Sequence, residues 1–180
     1  ENTWKDQVTN IGGDKISYDE IGNPINYRDG INFNWDGKLL SDASTNECDV
    51  SFTYNHEGIR TSKTVNGLKK EFVIEGKDII FEVCDDYTLS FIYDSDMNVI
   101  GMIYDENIYY FEKSVQNDVV KILDETGDVV CEYIYDAWGN VVSILGDEAI
   151  ARLNPFRYRS YYYDNETGLY YVESRYYDPQ

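Results

Sequence analysis

The chain has 180 residues, of which 42% are apolar, and a formal net charge of −19 at pH 7. Its length is sufficient for one domain with a buried core, and its apolar share argues against global disorder. The acidic balance argues against nucleic acid and anionic membranes as partners, because both require clustered Lys and Arg.

Tyrosine and glycine dominate the unusual part of the composition, with 18 Tyr and 13 Gly against only 3 Pro. Tyrosine favours half-buried strands, and the shortage of proline predicts turns built on Gly, Asn and Asp. Cys48, Cys84 and Cys131 are too few and too scattered for a disulfide framework or a metal knuckle, and we expect free thiols, buried at Cys84 and Cys131. The chain has no starting Met, no signal peptide and no long apolar span, so we expect a piece of a longer protein.

The first half of the chain reads as consecutive β-hairpins. Residues 16–27 contain two runs of period-2 alternation around an Ile-Gly-Asn-Pro turn. Residues 31–43 contain Asp36-Gly37, one of the strongest short hairpin signals, and residues 50–76 contain Gly turns at Glu57-Gly58 and Asn66-Gly67. These patterns predict antiparallel strands of about five residues.

The same pattern continues to residue 146, with turn signals every eight to twelve residues or so, which predicts an all-β meander. The longest helix candidate is 147–153, which Asn154-Pro155 would end. We expect a coiled, curved sheet strip with Tyr, Phe, Ile and Val on one face and Asp, Glu, Asn and Lys on the other. Its open edges would be capped by self-association or by residues 1–14, where Trp4 is the only large anchor.

No local motif indicates an enzyme, a metal or a cofactor. His56 is the single histidine and lies in a predicted turn. Asp94, Asp96 and Asn98 have the spacing of a calcium loop, but Val99 replaces the required Gly, so hairpin-turn chemistry is favoured. The glycines are scattered and form no phosphate loop.

Two side-chain clusters leave alternatives open. Arg152, Arg157 and Arg159 form the one basic cluster, for which pairing with nearby carboxylates is favoured over anion recognition. Seven tyrosines near the end of the chain are either a ladder of packed cross-strand pairs, which is favoured, or a platform for sugar rings. They are Tyr161, Tyr162, Tyr163, Tyr170, Tyr171, Tyr176 and Tyr177.

A family resemblance becomes specific in residues 116–179, and weaker copies of the same unit precede them. The segments that carry it are YDEIGNP (18–24), WDGKLL (35–40), YNHEGIR (54–60), QNDVVKILDETGDVV (116–130), YDAWGNV (135–141) and NPFRYRSYYYDNETGLYYVESRYYDP (154–179). The chain resembles the YD-repeat or RHS-repeat family, and its C-terminal part resembles the RHS-associated core. The motif residues are Tyr18, Asp19, Gly22, Trp35, Gly37, Tyr135, Asp136, Trp138, Gly139, Asn154, Pro155, Arg157, Tyr163, Asp164, Gly168, Arg175, Tyr176, Asp178 and Pro179.

The resemblance implies a hollow shell of β-hairpins, with repeats in residues 1–150 and the start of the core in 151–180. In bacterial polymorphic toxins such a shell encloses a variable C-terminal toxin, and in teneurins a related shell serves adhesion. Many cores cleave themselves with two Asp residues, which lie in motifs downstream of the Asp178-Pro179 pair. Arg175 matches an Arg that assists this cleavage, and Asp178 is not one of the two, so we expect no catalysis here.

The implied partners are the toxin domain and the remaining repeats of the same polypeptide, and the implied location is secreted or at the cell surface. The expected role is a non-catalytic part of the shell of a contact-dependent interbacterial toxin. The alternative is a carbohydrate-binding, cell-wall-binding or adhesion module that uses exposed tyrosines.

Overall fold

A computed structural model describes residues 7–180, so Trp4 lies outside the described residues. The described chain is nearly all β. Its strands are β1 Asn10–Ile11, β2 Asp14–Lys15, β3 Ser17–Tyr18, β4 Pro24–Asn26, β5 Asn32–Asp36, β6 Leu39–Ser44, β7 Asp49–Tyr54, β8 Arg60–Val65, β9 Leu68–Glu75, β10 Asp78–Val83, β11 Thr88–Tyr93, β12 Val99–Tyr104, β13 Asn107–Lys113, β14 Val119–Leu123, β15 Val129–Tyr135, β16 Val141–Gly146, β17 Tyr162–Asp164, β18 Leu169–Val172 and β19 Arg175–Tyr177. Helix α1 is Glu148–Leu153, and short 3₁₀ helices are Arg28–Gly30 and Tyr158–Ser160.

Strands β3 to β16 form one antiparallel sheet of fourteen strands in sequence order, which confirms the predicted hairpin meander. Strands β17 to β19 form a separate three-stranded sheet, and β1 pairs with β2. Residues 8–14 contact the first hairpin and the 3₁₀ helix after it, since Tyr18 donates to the Val8 carbonyl and the Asp29 amide donates to Asp14. Self-association of the sheet edges stays a prediction.

The aspartate of the Tyr18-Asp19, Tyr93-Asp94 and Tyr135-Asp136 pairs closes its own turn. In six five-residue turns, the first side chain accepts hydrogen bonds from the backbone N–H groups of the third and fifth residues. The turns are 19–23, 55–59, 94–98, 114–118, 124–128 and 136–140. Asp, Asn and Ser suit this position because their short side chains reach their own backbone. The calcium-like spacing from Asp94 to Asn98 is therefore one copy of this turn.

In four hairpins, an aromatic residue near the end of the first strand joins the hairpin to the preceding one by a hydrogen bond. The acceptor is a backbone carbonyl at a register shift in the second strand of that preceding hairpin. The pairs are Trp35 Nε1 to Pro24 O at 2.6 Å, Tyr54 OH to Leu40 O at 2.8 Å, Tyr93 OH to Ile79 O at 2.7 Å and Tyr135 OH to Val119 O at 2.8 Å. A bulge leaves backbone groups outside the regular ladder, and a buried carbonyl without a partner is costly. The motif thus couples turn formation to the stacking of hairpins.

Removing one of these hydroxyls tests the coupling. We expect Tyr93→Phe to lower the free energy of unfolding by about 1–2 kcal/mol, because the Ile79 carbonyl loses its donor. Tyr104→Phe is the matched control, since the Tyr104 ring packs edge-on against Tyr87 without relying on its hydroxyl. Urea titration of both variants measures the difference, and equal losses would contradict the coupling.

The C-terminal segment covers one face of the strip, which we call the inner face. Phe156, Tyr162 and Tyr171 join a cluster with inner-face residues of β9 to β15, and Leu169 joins a second cluster with those of β5 to β7. Helix α1 turns the chain onto this face, and the Asp147 carboxylate caps it by accepting from Ala149 and Ile150. The helix predicted at 147–153 is confirmed.

The outer face differs from the expected polar surface over half of the sheet. Across β5 to β8 it carries the polar row Asn34, Asp42, Ser51 and Thr64, as expected. Across β9 to β15 it retains apolar side chains such as Phe81, Tyr110 and Val129. The prediction was wrong there because these strands are apolar on both faces rather than strictly alternating.

The three cysteines are free thiols. Cys131 is buried, as predicted, whereas Cys84 is only half-buried. Burial raises the pKa of the Cys131 thiol to about 11, so it remains protonated at neutral pH.

Candidate functional site

A buried ion cluster joins the C-terminal segment to the strip. Arg60 begins β8 at a register shift, which places it on the same inner face as Lys63 three residues later, and Asp164 ends β17. Arg60 Nη1 contacts Asp164 Oδ2 at 2.7 Å, and Lys63 Nζ contacts Asp164 Oδ1 at 3.1 Å and Glu166 Oε2 at 2.8 Å. The side chains of Arg60, Lys63 and Asp164 are at most 2% exposed. Charges this deeply buried are tolerated only when they are paired.

Aromatic rings surround the Arg60 guanidinium. Its Cζ lies 4.2 Å from the ring centroid of Tyr171, 4.8 Å from Tyr162, 5.1 Å from Phe52 and 5.4 Å from Phe72. Arg60 Nε and Nη2 have no hydrogen-bond partner, so ring faces take the place of acceptors for these donors. Two of the rings come from the strip and two from the C-terminal segment, so Arg60 binds both parts.

Glu82 forms a second buried contact between the two parts. It is 1% exposed and accepts from Tyr162 OH at 2.5 Å, Lys70 Nζ at 2.8 Å and Tyr87 OH at 3.0 Å. Every oxygen of this carboxylate is therefore used. The Tyr162 hydroxyl fixes β17 to β10 as Asp164 fixes it to β8.

The environment keeps both carboxylates ionised. Burial would raise the pKa of Asp164, but Arg60 and Lys63 outweigh it and hold the pKa below its usual value. Burial likewise acts against ionised Glu82, yet Lys70 and the Tyr162 hydrogen bond keep its pKa lowered. Burial disfavours charged Arg60, and the Asp164 charge reverses this, so the Arg60 pKa is raised. Asp164, Glu82 and Arg60 are thus charged at neutral pH.

These pKa shifts set the direction of the pH dependence. Because both carboxylates have a lower pKa in the folded than in the unfolded chain, they stabilise the fold above the unfolded values of about 4, and this contribution is lost as the pH falls below that range. We expect the urea midpoint to fall steeply below about pH 4. In Asp164→Asn, the urea midpoint should fall less over the same pH range. If the midpoints of the variant and of the unmodified chain fell in parallel, Asp164 would not be a source of the pH dependence.

Asp178, near the C-terminus, is bound by the segment between β4 and β5. Asp178 accepts from Arg28 Nε at 2.7 Å, Arg28 Nη2 at 2.8 Å and Tyr27 OH at 3.0 Å, and Arg28 is 7% exposed. Arg175 is exposed, and with Trp35 and other residues of both ends it lines a groove of about 520 Å³. Asp178 is thus held by a bidentate pair with Arg28.

The motif turn 136–140 is a docking point for the C-terminal segment. The Gly139 carbonyl accepts from Tyr170 OH at 2.9 Å, and the Trp138 carbonyl accepts from Tyr177 OH at 2.6 Å. Gly139 has φ +92°, and a Cβ there would overlap the Tyr158 ring. The requirement for glycine at this turn therefore comes from the C-terminal segment as well as from the backbone.

The remaining motif residues divide between turns and the interior. Asp19 and Asp136 close their turns, whereas the Asp164 side chain points into the buried cluster. Asn154 is fully buried and fixes the segment by donating to the Phe156 carbonyl at 2.6 Å. Gly22, Gly37 and Gly168 have positive φ, and Pro155, Tyr163, Tyr176 and Pro179 are in the packed C-terminal segment.

The predicted pairing of the basic cluster is correct for one of its three members. Arg152 pairs with Glu148 at 2.6 Å. Arg157 is buried, donates to Asn165 at 2.8 Å and lies over the Tyr163 ring, while Arg159 lies over the Tyr158 ring. The latter two are therefore held by amide and aromatic groups.

The C-terminal tyrosines form packed pairs. Tyr162, Tyr170 and Tyr171 are buried and the other four are half-buried. Neighbouring rings are in contact, for example Tyr163 and Tyr170 with centroids 4.8 Å apart. The buried rings of Tyr162, Tyr170 and Tyr171 cannot stack on a sugar, so a carbohydrate platform could use only the four half-buried rings.

Sequence reasoning did not single out Arg60, Lys63 or Glu82. The available signal was the position of Lys63 and Glu82, which pair across the strands with the buried residues Phe52 and Leu89, whereas Arg60 reaches the same face only through the register shift at the start of β8. A charged residue at an inner position of a strand predicts a buried partner.

Within residues 7–180, no group of three or more His, Cys, Asp or Glu side chains is arranged to hold a metal ion. None of the helices in this part of the chain has the length and apolarity that a membrane crossing requires. The acids Asp164 and Asp178 are each bound to an arginine.

The strip of hairpins and the C-terminal segment that covers its inner face define a class of protein, the YD shells. The walls of these proteins are continuous antiparallel strips of hairpins. The chain belongs to the Teneurin YD-shell family, which it matches over residues 3–180. The RHS/YD-repeat resemblance is thereby confirmed.

Relatives and solved structures agree with this assignment. The chain is 32% identical over 183 residues to the tRNA nuclease WapA of Bacillus subtilis strain 168, covering 97% of this chain and 8% of the relative. It is 28% identical over 204 residues to the double-stranded DNA deaminase toxin A of Burkholderia cenocepacia, covering 92% of this chain and 14% of the relative. The Photorhabdus luminescens Tc holotoxin pore has a similar fold, with a TM-score of 0.68 and 16% identity over 90% of this chain and 9% of that one. The chain thus spans a small part of the proteins it matches.

Proposed function

We propose that this chain is a non-catalytic section of the wall of an RHS-repeat shell that encloses and delivers a C-terminal toxin in interbacterial competition. Residues 1–150 would supply wall hairpins, and residues 151–180 would begin the associated core. The partners would be the toxin domain and the remaining repeats of the same polypeptide, in a secreted or cell-surface protein.

The observation that carries the proposal is the attachment of the C-terminal segment to the inner face. A wall section needs one continuous sheet, which β3 to β16 provide. A core that enters the shell would have to be anchored to the inside, and the Arg60–Asp164 and Glu82–Tyr162 contacts between the C-terminal segment and the strip support this role. The relatives whose names state an activity are a nuclease and a deaminase toxin, which supports toxin delivery as the context.

The non-catalytic part of the proposal is supported by the state of the acids. An aspartic-protease mechanism needs two close carboxylates that share a proton. Asp164 and Asp178 instead have separate arginine partners, at 2.7 Å in each case. Arg175, which matches the assisting arginine of related shells, is exposed beside the groove at the chain's end.

A segment exchange tests the wall function. The matching stretch of the Bacillus subtilis relative is replaced by this chain, and growth inhibition of co-cultured cells is measured together with tRNA cleavage by the purified chimera before and after denaturation and refolding. We expect inhibition to be retained and nuclease activity to rise when the shell is opened. A folded chimera with equal activity before and after opening would contradict enclosure. An Asp164→Ala chimera is the matched variant, expected to leak activity.

A further inference from the structure

The outer face of β9 to β15 carries a contiguous apolar surface, which we call the outer patch. Its two adjacent rows run across the strands and follow from the strand register. The rows are Val73, Phe81, Ser90, Ile103 and Ile108, and Ile92, Gly101, Tyr110, Leu123 and Val129. Val73, Phe81, Tyr110 and Val129 are 49%, 37%, 43% and 56% exposed. Exposed apolar side chains clustered on one face in this way mark an interaction site.

The rest of the same face provides an internal comparison. Across β5 to β8 the equivalent row is Asn34, Asp42, Ser51 and Thr64, all polar. Both halves have the same hairpin architecture, and both are covered by the C-terminal segment on the inner side. The apolar outer side chains are therefore not a requirement of the wall itself.

Carboxylates border the patch along one edge. The turn after β12 presents exposed Asp105 and Glu106, next to Ile108, and the turn after β14 presents exposed Glu125 and Asp128, next to Val129. The lysine nearest in the register, Lys121, is already paired with Glu112 at 2.8 Å. An apolar surface with an acidic border is complementary to a segment with apolar and basic faces.

We infer that the outer patch is a docking site for a basic amphipathic segment of a partner protein. Five strands about 4.8 Å apart give each row a length of about 19 Å, which matches three to four turns of helix. A second copy of the chain is disfavoured as occupant because each copy carries a net charge of −19. An anionic membrane is disfavoured by the same charge. The inference does not depend on whether the shell encloses a toxin.

Binding of a synthetic probe tests the inference. The probe is a fluorescent 14-residue helical peptide with Leu on one face and Lys on the other, titrated with the full 180-residue chain. A peptide of the same composition in scrambled order and one with Glu in place of Lys serve as comparison probes. We expect saturable binding of the Leu/Lys peptide alone, weakened several-fold by raising the salt concentration from 50 to 300 mM.

Matched variants locate the site. Tyr110→Thr combined with Val129→Thr removes apolar surface from the patch, and we expect it to weaken binding at least tenfold. Leu68→Thr combined with Val142→Thr removes apolar side chains outside the patch that are at least as exposed, and it should leave binding unchanged. Asp105→Asn with Glu106→Gln should reduce the salt dependence. Circular dichroism confirms that each variant is folded.

Several outcomes would overturn the inference. They are no binding at 100 µM chain, equal weakening by the two apolar double variants, and equal binding of the scrambled peptide. Patch-dependent dimerisation in sedimentation, or patch-dependent binding to zwitterionic phosphatidylcholine vesicles without peptide binding, would assign the surface to a second copy or to lipid instead.

Discussion

Replacing Asp164 by alanine is expected to lower the free energy of unfolding by about 3–5 kcal/mol, because it leaves Arg60 and Lys63 charged and buried without their shared partner. The effect is large because both cations are at most 2% exposed and water cannot replace the lost carboxylate. Urea titration measures this loss of unfolding free energy when one spectroscopic probe is placed in the strip and another in the C-terminal segment. The C-terminal segment should detach before the strip unfolds.

The controls separate lost charge pairing from lost packing. Asp94→Ala removes an equally short acid from an exposed turn and should cost about 1 kcal/mol, the value of a typical hydrogen bond. Replacing the whole cluster, with Arg60→Met, Lys63→Met and Asp164→Leu together, should recover most of the stability, because an apolar cluster of similar volume needs no pairing. A cost of Asp164→Ala no larger than that of Asp94→Ala would show that the cluster does not anchor the segment.

Gly139→Ala is expected to cost about 2–4 kcal/mol. The residue has φ +92°, which penalises any side chain, and the new Cβ would overlap the Tyr158 ring. Since Tyr158 belongs to the C-terminal segment, the damage should appear as loosening of that segment as well as lower stability.

Gly127→Ala is the matched control for this substitution. Gly127 occupies the same position in the turn 124–128, has φ +89° and has no atom within 4 Å of the added Cβ. It should therefore show the backbone penalty alone, about 1 kcal/mol. Equal costs at both glycines would mean that the Tyr158 contact has no energetic importance.

The hairpin meander was predictable from the sequence because turn chemistry is local. The Asp-Gly and Asn-Gly signals and the period-2 alternation are read within ten residues, and the hydrogen bonds that close the turns lie within the same span. Helix α1 was predictable for the same reason, because Asp147 and Asn154-Pro155 mark its ends.

The buried cluster was not predictable because its partners are distant in the sequence. Arg60 and Asp164 are separated by 104 residues, and Glu82 and Tyr162 by 80. Strand alternation places Lys63 and Glu82 on the apolar face, but no local pattern identifies which distant residue pairs with each of them. The Tyr-Asp repeat itself was ambiguous, since the Asp of Tyr135-Asp136 closes a turn and that of Tyr163-Asp164 enters the core.

The outer face shows the same limit of sequence periodicity. Strands such as β12, Val99–Tyr104, are apolar at nearly every position, so alternation does not say which face is buried. The location of the C-terminal segment determines which face of the sheet is buried. That location also explains how an acidic chain accommodates 18 tyrosines, since many of them fill the space between the strip and the C-terminal segment.

Hydrogen exchange measured by mass spectrometry tests most directly whether the C-terminal segment is part of the folded wall. The backbone amides of Tyr162–Val172 are expected to be protected as strongly as those of Thr88–Tyr104, and Asp164→Ala should abolish protection in the first segment while largely preserving it in the second. Fast exchange of Tyr162–Val172 in the unmodified chain, beside full protection of the strip, would contradict the account.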